Sequence, residues 1–541
     1  MSVARAKSAI KTLLLGGLCL ASAGAPRVEA PNPAIDVLGY TVDIDLLPER
    51  SAFQAATAIE LVLTQAAERV RFDLVGLTVD SVTQGGAAVR FQRDEGGLFV
   101  SLRAPAAAGD TVTVTVFYGG TPRDGLIFRR NPYGAPTAFA DNWPDRARQW
   151  LPSNDHPSDK ATVELRVRAP AAWNVVGVGR LVSQEAQNDG RVLTIWSTDR
   201  AIPVYSMVFG AGELVIGNAG SLGCDAPARR CIPITWWLYP EDAANGARIF
   251  RRAQEAVVFF DSLVGPFPYE KLALVQSSTR YGGMENASAI FLYEGVGRAL
   301  DADGLVVHEI AHQWFGDAVT QREWPHLWLS EGLATYFTSV FFEFRDGAQV
   351  AQAMRARGKQ GYLAAPQAVA SPVIGAEPAN LRELLNANNY QKAAWVLHML
   401  RRLVGDEKFF AGVRRYYAEY RHETALTEDF QRIMEEESGE ELGWFFQQWL
   451  YRPGYPQVEA NFTWDPSLNA ARLNLKQVQD GPAFRIPLTY EMYMTGLGQK
   501  AQNTVWMEER ERSSLVMLPT RPGRIVLDPN DDLLGVAVVV P

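Results

Sequence analysis

From Tyr40 onward the chain alternates apolar and polar positions with period two: YTVDIDL, then TAIELVLT from Thr57, RVRFDLV from Arg69 and TVTVTVFY from Thr111. Gly, Pro and Asp clusters separate these runs, as an antiparallel sheet with one buried face requires. ATVELRVRAP, VVGVGRLVS and RVLTIWST continue the pattern, so residues 34–220 are predicted to form one all-β domain. The period then changes. Between Ala247 and Leu450 apolar residues recur at three and four, interrupted by one strand-like stretch, KLALVQSS from Lys271. This predicts a mainly helical second domain over 221–452. Two prolines and a glycine in PGYPQ, from Pro453, end the helical pattern. FTWDP, ARLNLKQV, FRIPLTYEMYMT, NTVWMEE and RIVLDP follow, predicting a small β-sandwich over 453–541. The predicted class is α+β and multidomain, without internal repeats.

Composition narrows the function classes. With 541 residues, 47% hydrophobic and 21% charged, the chain has an ordinary globular balance and not that of a disordered protein. A net charge of −9 argues against nucleic acid as a partner, because phosphate binding needs a basic surface. The first residues differ from the rest: Arg5, Lys7 and Lys11 lead into TLLLGGLCLASAGA, from Thr12 to Ala25. A charged start, a short apolar run and small residues at Ala21 and Ala23 predict a signal peptide, 1–23, cut after Ala23. The run falls short of the ~20 apolar residues that span a bilayer. Leu18 precedes Cys19 where lipid attachment would want a small residue. Export to the periplasm or the extracellular space is the expectation, with no stable membrane span after cleavage. Cys224 and Cys231 would then remain, and in an oxidising compartment a disulfide is favoured over two free thiols.

The chemistry concentrates in LVVHEIAHQWFGDAV. His308 and His312 stand four apart, so on a helix they lie one above the other and both imidazoles can reach one cation. Asp301 or Asp303 can cap the start of such a helix and Gly316 can end it. Leu305, Val306, Ile310, Trp314 and Phe315 make it apolar nearly all round, and burying two unpaired histidines is costly unless a metal partners them. Glu331 follows in WLSEGLATYFTSVFFEF, on a second helix, with small residues Gly332, Ala334 and Thr335 around it. Two histidines and a later carboxylate are the donor set of a catalytic zinc with one position left for water. Glu309 is off the face of the two histidines and is free to serve as general base.

HEIAHQWFGD, followed after eighteen residues by the Glu of WLSEGLATYF, resembles the zinc aminopeptidases of the aminopeptidase N and leukotriene hydrolase family, a group of gluzincin metallopeptidases. GGMEN, NNYQKAAWVLHMLR, PFPYEKL, WLPSNDHPSDKA and FFQQWLYRPGYP match further family landmarks in order, over nearly the whole chain after the signal segment. The resemblance implies a thermolysin-like catalytic domain and one Zn(2+) per chain held by His308, His312 and Glu331, with Glu309 as general base. It implies that Gly282, Gly283, Met284, Glu285 and Asn286 form the motif that receives a peptide's free N-terminus, Glu285 holding the amine, and that Tyr390 steadies the tetrahedral intermediate. Gln391 and Ala393 depart from the family's usual Glu and Gly. The second amine anchor, usually Glu or Gln, falls on Trp143, with Asp141 or Asn142 as the candidates to replace it. Larger family members carry a further helical domain, so the cleft is expected to be more open here or covered by another subunit. The implied function is removal of N-terminal residues from peptides; a gluzincin endopeptidase, the family's epoxide-hydrolase side activity and a non-catalytic peptide-binding homologue are the alternatives. His326, His398 and His422 lack ligand spacing and read as structural or surface residues, and Trp236 and Trp237 as packing between domains.

Overall fold

The computed structural model describes residues 32–224, 230–496 and 498–540. The expected signal segment, 1–23, lies outside the described residues. The alternating strands of the first domain build a nine-stranded sheet, with a four-stranded and a three-stranded sheet beside it. Strand Ile35–Leu47 shows why these residues pair as they do: Val37, Tyr40, Val42, Ile44 and Leu46 are buried and their neighbours face outward. Its partners are Ala52–Leu63, antiparallel, and Lys160–Pro170, parallel, with Gly39 opposite Thr162. The parallel pair departs from the purely antiparallel expectation. Lys160–Pro170 enters the sheet after a long excursion of the chain, and only a crossover of that kind can place two strands parallel.

Val215–Leu222 straddles the domain boundary expected at residue 220. It hydrogen-bonds to Ile232–Leu238 and so belongs to the five-stranded sheet of the second domain. Leu272–Gln276, buried at every position, forms the centre of that sheet, parallel to Ile232–Leu238 on one side and Ala289–Leu292 on the other. A strand covered on both faces reads as a continuous apolar run, which is why it stood out from the helical text. Gly283–Met284 closes the edge, antiparallel to Phe291 and Leu292. The third domain is two sheets of four and three strands.

Aromatic contacts and hydrogen bonds fix the domains to one another. Trp196 of the first domain meets Trp237 of the second at 6.4 Å between ring centres. Trp449 and Phe484 join the second to the third at 5.3 Å. Lys160 reaches from the first domain into the second and donates to the carbonyls of Asp317, Ala318 and Glu423 at 3.1, 2.9 and 2.9 Å. Cys224 and Cys231 are joined in a disulfide. Among the described residues no helix is long and apolar enough to cross a membrane.

Candidate metal centre

Helix α1, Asp303–His312, carries both histidines, and helix α2, Trp328–Asp346, carries Glu331 in its first turn. Asp301 accepts the backbone N–H of Asp303 at 3.0 Å and so satisfies one orphan donor at the start of α1. Asp303 itself pairs with Arg251 and Arg252 instead. The chain turns after His312, and Gly316 allows the turn at φ +122°, a left-handed conformation. A Cβ at Gly316 would stand 2.3 Å from Ser330 Oγ, so no other residue lets α1 and α2 approach this closely.

That turn also orients the histidine. His312 Nδ1 lies 2.9 Å from the Phe315 carbonyl, which can only accept, so Nδ1 carries a hydrogen and Nε2 is the atom left to bind. Nε2 of His312 is 3.1 Å from Nε2 of His308, and Glu331 Oε2 is 3.4 and 3.2 Å from the two nitrogens. Ligands at 2.0–2.1 Å from a common tetrahedral centre would be about 3.3–3.4 Å apart. Glu331 Oε2 is buried without a hydrogen-bond partner, and the other oxygen accepts from the Tyr390 hydroxyl at 2.7 Å. An orphaned carboxylate oxygen facing two imidazoles fits a cation.

The electrostatics agree. Burial pushes the Glu309 carboxyl well above its usual range, and pushes Glu285 up to about 7. Burial would pull His312 down, but Glu331 and Glu285 outweigh it and hold the imidazole at about 10. Burial likewise opposes charge on Glu331, yet His312 and His308 keep it well below the carboxylate range. Glu285 and Glu309 share a second tight group with His312, with ligand atoms within 4.8 Å. Three carboxylates crowd one buried site, and the cost of that crowding is relieved by protonation of Glu285 and Glu309 or by positive charge among them.

Family models match two stretches of the chain: the peptidase family M1 domain over residues 251–449 and the peptidase M1 N-terminal domain over residues 37–206. The chain belongs to peptidase family M1. A leucyl aminopeptidase of Saccharolobus solfataricus is 26% identical over 92% of this chain and 65% of its own length. A probable aminopeptidase of Sulfurisphaera tokodaii is 23% identical over 82% of this chain and 57% of its own length, so this chain spans less than two thirds of these M1 relatives. The solved M1 zinc metallopeptidase of Deinococcus radiodurans shares the fold at a TM-score of 0.66 and 24% identity, over 78% of this chain and 95% of that one. Aminopeptidase A of Legionella pneumophila does so at 0.81 and 18% identity, over 94% of this chain and 60% of that one.

Within this M1 framework the residues singled out by sequence converge on one cavity of about 270 Å³. His308, Glu309, His312, Glu331 and Tyr390 line it, together with Gly282, Gly283, Met284 and Glu285. Gly283 is there because of the glutamate: a Cβ would come within 2.1 Å of Glu309 Oε1. Asn286 is fully buried and off the cavity wall. Gln313, which the motif contains but its spacing does not mark, ties the parts together. It accepts from Ser288 N at 2.7 Å and donates to the Glu285 carbonyl at 2.6 Å and to Asp317 at 2.8 Å. Tyr390 stands not on a regular helix but on a π-helical turn, Asn388–Lys392, ahead of helix α3, Ala393–Val404. Such turns are frequent at functional sites.

The second amine anchor is corrected by the structure. Asp141 is spent on Arg146 at 2.6 Å. Asn142 donates to the Met207 and Val204 carbonyls and accepts from Trp150 Nε1. Neither lines the cavity; Trp143 does, with Tyr281, Leu305 and Leu385. His326 and His398 are structural, hydrogen-bonded to Thr427 at 2.8 Å and to Asp532 at 3.2 Å.

Proposed function

We infer that the protein is an exported zinc aminopeptidase that hydrolyses the N-terminal peptide bond of peptides with a free amine. The observation that carries this is the convergence of His308, His312 and Glu331 on one point, with Glu309 and Glu285 on the same cavity wall. The leucyl aminopeptidase from Saccharolobus solfataricus and the other M1 relatives support the activity class. The apolar run after Arg5, Lys7 and Lys11 supports export, and the Cys224–Cys231 disulfide favours an oxidising compartment.

His308, His312 and Glu331 would hold one Zn(2+). When bound, zinc supplies Lewis acidity that makes water a nucleophile near neutral pH and polarises a carbonyl. Glu309 takes a proton from the attacking water and returns it to the leaving amine, a service worth typically ~10²–10⁴-fold. Glu285 receives the substrate ammonium and so fixes which peptide bond falls beside Glu309. The Tyr390 hydroxyl, 2.7 Å from Glu331, is positioned to turn toward the oxygen that gains charge on attack.

The test is hydrolysis of an aminoacyl amide panel, with and without chelator, beside a measurement of bound metal. Glu309→Gln should keep the metal and the fold and lose ~10²–10⁴ in kcat. Near-normal turnover in that variant would remove Glu309 from the reaction. Equal cleavage of acetylated and free peptides by the parent would remove the amine anchor.

A further inference from the structure

Tyr390 owes its place to an irregular piece of backbone. In the turn Asn388–Lys392 the N–H of Lys392 bonds to the Ala387 carbonyl at 2.9 Å, five residues back where a regular helix reaches four. A regular continuation of α3 would rotate the residues ahead of it by about 100° and carry the Tyr390 ring with them. In the turn as it stands, the hydroxyl is 2.7 Å from Glu331. A π-helical turn is rare, and it persists where its surroundings hold it.

Three residues of the turn are tied to three other segments, each by a side-chain nitrogen on a backbone carbonyl. Asn388 Nδ2 donates to the Ser371 and Pro372 carbonyls at 3.1 and 3.2 Å, and Asn389 Nδ2 to the Leu384 carbonyl at 2.8 Å. Lys392 Nζ donates to the Arg452 carbonyl at 3.0 Å. Lys392 is the unexpected member. It is fully buried, its ammonium lies 5.7 Å from the centre of the Tyr362 ring, and among the described residues no carboxylate pairs with it. Burial and the Arg452 guanidinium pull it down to about 7. If packing were its whole role, Met would fill the same space without a buried charge.

The carbonyl that Lys392 grips is itself set by the third domain. Arg452 donates to the Pro482 and Ala483 carbonyls at 3.1 and 3.5 Å, and its guanidinium lies 4.6 Å from the centre of the Phe484 ring. Contacts therefore run without a break from the third domain through Arg452 to Lys392, two residues from Tyr390 on the same turn. Lys392 is not on the cavity wall, so any effect on the reaction passes through Tyr390.

We propose that Lys392 is a positioning residue: with Asn388 and Asn389 it holds the π-helical turn that aims the Tyr390 hydroxyl, and through Arg452 it makes that aim depend on the docking of the third domain. This rests on the aminopeptidase reading, in which Tyr390 acts on the oxygen that gains charge.

The experiment places Lys392→Met in the parent and in Tyr390→Phe. Met keeps a long unbranched stem in the site and removes the donor. Asn389→Ala is an independent cut of the same turn. Hydrolysis of the aminoacyl amide panel is read as kcat and KM, beside bound zinc, thermal unfolding and crystal structures of the variants. Lys392→Met should lower kcat by ~10²-fold, the scale of a misplacement of about 1 Å, with KM and zinc unchanged. In Tyr390→Phe the same substitution should cost almost nothing further, because the hydroxyl it aims is already gone. Asn389→Ala should show the same pattern with a smaller loss. Both single variants should show the Tyr390 hydroxyl displaced from Glu331. A parent-like kcat in folded Lys392→Met, a loss that multiplies with that of Tyr390→Phe, or a hydroxyl still on Glu331 overturns the proposal. Should Lys392→Met not fold, Asn389→Ala decides by the same three criteria. A displaced Tyr390 in a protein whose parent leaves the whole panel intact would keep the positioning role and sink the aminopeptidase reading instead.

Discussion

The candidate metal centre and the Trp143 wall face the same cavity but are built differently. His308 and His312 come from one helix and Glu331 from the next, so the three donors are near neighbours in the chain. Trp143 comes from the first domain and meets Tyr281 at 5.7 Å and Trp324 at 5.8 Å, two residues of the second. The first arrangement needs only helical geometry and one tight turn at Gly316. The second needs two domains docked in register, by contacts such as Lys160 on the carbonyls of Asp317, Ala318 and Glu423. The chemistry is local, whereas the shape of the chamber that receives substrate is long-range.

That contrast can be tested from its strongest point downward. His312→Ala removes a ligand whose Nδ1 is already fixed by the Phe315 carbonyl, so metal content should fall to background and turnover below detection. Metal analysis showing a full equivalent of zinc would break the local half of the comparison. Tyr390→Phe keeps the ring stacked near His308 and removes the hydroxyl. It should cost ~10²–10³ in kcat with zinc retained, the typical worth of one oxyanion donor. Unchanged kcat would reduce Tyr390 to packing.

Trp143→Ala addresses the other half. The indole is 3% exposed and packs edge-on against Tyr281 and Trp324, so stability should fall by ~3–5 kcal/mol. KM should rise several-fold with metal content unchanged; loss of zinc in this variant would erase the distinction between centre and wall. The smallest effect concerns Asp159, in the segment that carries Lys160. Burial pushes its carboxyl up to about 7, above the unfolded value of 3.8. A raised value means stability that is fully present below the unfolded pKa and is lost as pH rises through about 7. Asp159→Asn should flatten that decline, read as the parent–variant difference in thermal unfolding between pH 4 and 8. A parallel pair of curves would show that Asp159 does not titrate in this window.

Much of this was legible along the chain because its causes are short-range. Period two in YTVDIDL and TAIELVLT gave strands since the buried face of a sheet recurs every second residue. Spacing of four gave the imidazole pair since one helical turn brings His308 under His312. Less legible was the partner of each strand. Nothing in the composition of Val215–Leu222 tells it to join Ile232–Leu238, or of Lys160–Pro170 to lie parallel to Ile35–Leu47. Asp141 and Asn142 were reasonable substitutes for an amine anchor by residue type. The folded chain had already committed them, to Arg146 and to the Val204 and Met207 carbonyls.

By itself, then, the sequence determined the spacing of His308, Glu309 and His312 and the helices that bring them to Glu331. Each of these depends on residues within a turn or two of one another or on two consecutive helices. Only the tertiary structure decided that Trp143, Tyr281 and Leu385 wall the cavity and that Arg146, Arg280 and Arg382 gather around Asp124. Those neighbours are brought together by domain packing, a property of the whole buried core that no single spacing encodes.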